Sequence, residues 1–111
     1  MNNSLKSNYS DIIFYSLPKI TQKIIQRRID LLLNLKNRNE DKIYFNQEEE
    51  WKILGYSSKR VLEMDLNILE RAKNVLKIYE KNLLFLIINN TSCSQLAEEY
   101  LNSFVQENNK E

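Results

Sequence analysis

The sequence predicts a mainly α fold with a small β-hairpin. Three observations carry that expectation. The stretch from Asn46 to Ala72 reads as two helices joined at Gly55, the only glycine in the chain. Residues 75–80 and 83–88 are rich in β-branched and aromatic side chains and flank the pair Lys81-Asn82. One Gly and one Pro in 111 residues favour helices with short connections over a many-turned β fold.

In chain order, residues 1–9 are polar. Ser10-Asp11 can cap a short helix over 10–16 that carries the apolar run Ile12-Ile13-Phe14-Tyr15. Pro18 suits the first turn of a helix, where a missing N–H costs little. Ile20, Ile24, Ile25, Ile29, Leu32 and Leu33 then recur at helical spacing, and the helix runs to about Leu35. Arg27-Arg28 falls between these positions and reads as solvated helix surface, with a phosphate contact as the alternative.

Lys42–Phe45 alternates and is aromatic, as a short strand would be. Asn46 offers a helix cap with Glu49 as its capping-box partner, and Glu48–Glu50 suit the positive end of the helix dipole. Gly55 stands where that helix must stop, and Ser57 or Ser58 can cap the next. At about 100° per residue, Val61, Leu62, Leu66, Ile68, Leu69 and Ala72 share one arc. Lys59, Arg60, Glu63, Met64, Asn67, Glu70 and Arg71 lie opposite. Asp65 falls inside the apolar arc. It needs hydrogen bonds from backbone N–H groups or a nearby Arg or Lys, because burying it unpaired is costly.

Asn74 can take the left-handed conformation that ends a helix. Beyond it, Lys81-Asn82 suits a two-residue hairpin turn, although it is a weaker signal than Asn-Gly. A helical stripe through Leu69, Ala72, Leu76, Tyr79, Leu83, Leu86 and Ile87 is the alternative, giving an all-α bundle of four to five helices. The β-branched and aromatic content favours strands. Ser92 with Gln95 starts a last helix over 92–107, whose stripe Leu96, Ala97, Tyr100, Leu101, Phe104 and Val105 can complete the core or pair with a second copy. The chain reads as a single domain, 1–111, with its core in 18–88.

Composition excludes several functions. His is absent and Cys93 is the only cysteine, so a structural zinc site, an internal disulfide and His-based acid–base catalysis are excluded. There is no Gly-rich phosphate loop and no nucleophile–base pair, so no enzyme is expected, and no cofactor or small-molecule ligand is evident. No apolar run is long enough to span a bilayer, and residues 1–17 make a poor signal peptide; a cytoplasmic protein is expected. Net charge is +1, but it is unevenly spread: +5 over residues 1–38, −3 over 39–56, +2 over 57–82 and −3 over 83–111. The cations gather in the first long helix and around the third helix and hairpin.

From Leu54 to Ala72 the chain reads LGYSSKRVLEMDLNILERA. This resembles the winged helix-turn-helix domain that opens many bacterial repressors of sugar operons. Leu54-Gly55, Ser57, Asp65-Leu66 and Leu69 match its pattern, while Glu63 and Met64 stand where that family carries two Arg. The resemblance implies a winged helix-turn-helix fold over 18–88 and binding of double-stranded DNA. The chain would be a small transcription regulator or the DNA-binding part of a replication or mobile-element protein. Ser57, Ser58, Lys59, Arg60, Asn67 and Arg71 would form the contact face of the third helix, with Lys77 and Lys81 on the wing. So few cations per chain imply a homodimer, through the last helix, for binding to survive physiological salt. The alternative is a winged-helix protein–protein interaction module without DNA binding, which the mixed charge of the third helix also suits.

Overall fold

The computed structural model describes residues 14–88 and Tyr100. Among them are three helices and three strands: α1 (Lys19–Lys36), β1 (Ile43–Tyr44), α2 (Gln47–Ile53), α3 (Lys59–Arg71), β2 (Val75–Glu80) and β3 (Leu83–Ile88). The strands form one antiparallel sheet in the order β1-β3-β2. The all-α alternative is therefore wrong. Val75, Ile78, Ile87 and Ile88 prefer a pleated, half-buried surface to a helix, and Lys81-Asn82 supplies the reversal.

Pro18 caps α1, and the Gln22 side chain donates to the Leu17 carbonyl at 2.9 Å, closing the helix entry. Ile25, Ile29, Leu32 and Leu35 are buried at spacings of three and four, together with Leu31. Ile20 departs from its expected place in the stripe and is 66% exposed. At the other end of α1, Arg38 grips Glu50 of α2 with two parallel hydrogen bonds of 2.9 Å. Such a fork fixes orientation as well as distance.

Asn46 caps α2, its side chain accepting from the Glu48 N–H at 3.1 Å. The helix ends as the sequence suggests. Tyr56 N–H reaches the Trp51 carbonyl, Gly55 N–H reaches that of Lys52, and Gly55 sits at φ +81°. This is the Schellman arrangement, in which glycine avoids a Cβ clash. Ser58, not Ser57, caps α3: its hydroxyl accepts from the Val61 N–H at 3.3 Å.

The end of α3 corrects an expectation by one residue. Lys73, not Asn74, holds the left-handed position at φ 66°. Its N–H meets the Glu70 carbonyl, and the Asn74 N–H meets that of Leu69. The same Schellman closure thus occurs with a Cβ-bearing residue in the seat that favours glycine. Lys73→Gly should accordingly raise stability by about 1 kcal/mol, read as a higher urea midpoint at unchanged m-value. A lower midpoint would show that Lys73 makes a compensating contact.

Lys81 (φ 52°) and Asn82 (φ 69°) turn the hairpin, with Glu80 opposite Leu83. Two consecutive positive φ values match the twist of the flanking strands. Register and period-2 alternation place Val75, Lys77, Leu84, Leu86 and Ile43 on the helix side of the sheet. Leu76, Ile78, Leu83, Phe85 and Tyr44 lie on the other side. There the Lys42 ammonium stands 4.9 Å from the Phe85 ring centre and bonds Glu80 at 3.0 Å. The core between sheet and helices joins Leu62, Leu66 and Leu69 of α3 to the α1 row and the inner strand residues. Each such leucine contributes about 2 kcal/mol through burial.

Candidate nucleic-acid interface

The exposed face of α3 is defined by what its opposite face is tied to. Asp65 is fully buried and accepts four hydrogen bonds. Oδ2 takes Arg27 Nε at 2.7 Å and the Tyr56 hydroxyl at 2.6 Å. Oδ1 takes Arg27 Nη2 at 2.8 Å and Arg28 Nε at 2.9 Å. Every lone-pair direction of the carboxylate is thereby used. Arg28 continues the chain, donating from Nη1 to the hydroxyl of Tyr100 at 2.9 Å.

This corrects the reading of Arg27-Arg28 as solvated surface. The Arg28 side chain is only 12% exposed and that of Arg27 36%, and both are committed to Asp65. Burial pushes the Asp65 carboxyl up, but hydrogen bonds from Arg27, Arg28 and Tyr56 outweigh it, so its pKa lies below the ordinary value. Burial raises the pKa of the Tyr56 hydroxyl, and its bond to Asp65 raises it further. Burial also raises Tyr100, against the opposing pull of Arg28. Both phenols stay protonated at neutral pH. The network pins α3 to α1 through charge-assisted bonds and sets its rotation about its own axis.

With Leu62, Asp65, Leu66 and Leu69 buried, the residues diametrically opposite are Arg60, Met64, Asn67 and Arg71. They follow at spacings of four, three and four, and all four are exposed. Lys59, Glu63 and Glu70 lie on the flank nearer the hairpin.

The structure separates the sequence-predicted contact cations into two groups. Lys59 and Lys77 are engaged. Lys59 bonds Glu48 of α2 and stands 3.8 Å from Glu63, and the Glu48 bond pushes its pKa up. Lys77 reaches from β2 to the Asn67 side-chain oxygen and stands 3.6 Å from Glu70. Arg60, Arg71 and Lys81 are exposed with no ion pair among the described residues, and Lys73, which is not one of the sequence-predicted contacts, joins them. Ser58 is occupied as a cap, and Ser57 is exposed beside it. Lys81 projects at the hairpin tip. The short helix over 10–16 is described only from Phe14. The last helix over 92–107 lies outside the described residues except for Tyr100, which is buried in the core.

Among the described residues there is no cluster of three metal-ligating side chains and no helix long and apolar enough to cross a membrane. The chain matches no protein-family model, and no curated protein or solved structure matches it.

Proposed function

We propose that the chain is a winged helix-turn-helix protein that binds double-stranded DNA, with α3 in the major groove and the β2–β3 hairpin as the wing. One observation carries the reading: the four-residue stripe opposite the buried face of α3 has an arginine at each end and no carboxylate within it. The order α1-β1-α2-α3-β2-β3 and the cationic hairpin tip support it. The exposed Ser57 and the N-terminus of α3 suit a phosphate oxygen. A regulator of transcription, or the DNA-binding part of a replication or mobile-element protein, would use such a surface as a homodimer. Doubling the few free cations gives enough phosphate contacts for physiological salt.

A second reading is favoured by a separate observation. Lys59 and Lys77 are held by Glu48, Glu63 and Glu70, which brings that flank of α3 close to electroneutrality. A face of this kind also suits a protein partner.

Fluorescence anisotropy of a labelled mixed-sequence duplex, titrated with the full chain, separates the two. Binding is expected at about 50 mM salt and should fall steeply by about 200 mM. Arg60→Ala/Arg71→Ala should weaken binding at least about tenfold and flatten the salt slope by about two, at unchanged circular dichroism. No binding at the lower salt sinks the DNA reading and leaves the protein-interaction reading.

A further inference from the structure

The geometry points to a base preference: Met64 and Asn67 make α3 a reader of A·T pairs in the major groove. This rests on the DNA-binding reading above and adds what the surface would select. Along the stripe Arg60–Met64–Asn67–Arg71, the two cations stand at the ends and two uncharged residues at the centre. The stripe spans about 16 Å at 1.5 Å per residue, so its middle faces base edges while its ends reach the flanking backbone.

Met64 is 51% exposed although it is apolar, and it lies directly opposite the core. Its flexible thioether is not among the side chains packed against the core. Its chemical match on DNA is the C5-methyl group of thymine, the one apolar group displayed in the major groove. Asn67 sits one turn further along. A carboxamide matches adenine, donating from Nδ2 to N7 and accepting at Oδ1 from the N6 amine. Lys77 donates to Asn67 Oδ1 and so fixes which way the amide points. That leaves the second lone pair of Oδ1 and both Nδ2 hydrogens for the base.

The side chains that read cytosine are withdrawn from the face. A glutamate would accept from cytosine N4, but Glu63 lies beside Lys59 and Glu70 beside Lys77, both on the flank. The arginines could read guanine only at the ends of the stripe. The centre of the bound site is therefore A·T.

The test selects duplexes from a randomised library with the full chain at low salt, then measures affinity for a retained duplex by anisotropy. The expected result is a core enriched in A·T. Replacing the contacted thymine by uracil, which removes only the methyl, should weaken binding by the native chain about fourfold. It should not weaken binding by Met64→Ser, whose exposed position keeps the fold intact by circular dichroism. Replacing the contacted adenine by 7-deazaadenine should weaken the native chain about tenfold and Asn67→Ala much less. Retained duplexes with G·C cores, or no response of the native chain to uracil, overturn the base preference while leaving DNA binding standing. A library from which nothing is retained overturns both.

Discussion

Asp65→Ala is expected to destabilise the chain by about 3 kcal/mol, measured by urea unfolding of the 111-residue chain. The carboxylate is the acceptor for two guanidinium groups and one phenol, so its removal orphans several donors at once. Arg28 suffers most, since its side chain is 12% exposed and cannot rehydrate. Arg27 is 36% exposed and recovers water, which places the expected loss at the lower end of the range for breaking buried ion pairs. Asp65→Asn should fare little better, because its amide nitrogen would turn a donor toward a guanidinium. Replacing the whole cluster, Asp65→Leu with Arg27→Met and Arg28→Met, should restore much of the loss, since no charge is then left unpaired. A loss under about 1 kcal/mol for Asp65→Ala would show that the network does not hold α3.

The same cluster sets an acid limit. The folded pKa of Asp65 lies below its unfolded value of about 3.9. Its stabilisation is therefore fully present above that value and is lost as pH falls below about 4 through the folded pKa. A urea midpoint that drops from pH 5 toward pH 2 in the native chain, and drops less in Asp65→Ala, is the expected pattern. Equal slopes would assign acid sensitivity to other carboxylates.

Tyr100→Ala carries the second large effect, about 3 kcal/mol or more. Its side chain is 1% exposed and belongs to the main core, so truncation leaves a cavity as well as removing the hydroxyl that Arg28 meets. Tyr100→Phe separates the two contributions. It keeps the ring and should cost only about 1 kcal/mol, because Arg28 retains Asp65. Near-neutral behaviour of the alanine variant would show that residue 100 does not seat in the core.

Local patterns made much of the fold legible. The α3 arc is legible because Leu62, Leu66 and Leu69 repeat at helical spacing, and the turn because Gly55 is the sole residue free of a Cβ. The hairpin was harder, since its apolar residues also approximate a helical stripe; β-branching decided it. What escaped was long-range pairing. Asp65 stands out within its arc, but its partners lie 38 and 37 residues earlier, between apolar positions of α1, where surface arginines also occur. The left-handed residue after α3 lies one position before the Asn74 that the sequence favours, because hydrogen-bond closure at Lys73 and Asn74 overrides the greater tolerance of Asn for that backbone. The exposed face of α3 is legible from helical spacing. The division of the cations into engaged and free is not, since it depends on Glu48 and β2 folding back against α3.

Asn39, Lys73, Lys81 and Asn82 all hold left-handed backbone, and the chain's single glycine is elsewhere, at Gly55. Such a chain sits below its own stability optimum, with a reserve of about 1 kcal/mol open at Lys73 and at Lys81, the two of these positions that are not Asn. That reserve bears on how the surface can diversify. Substitutions at Arg60, Met64 or Asn67 that cost some stability can be offset by glycine at Lys73, with the loss of one exposed cation beside the end of α3.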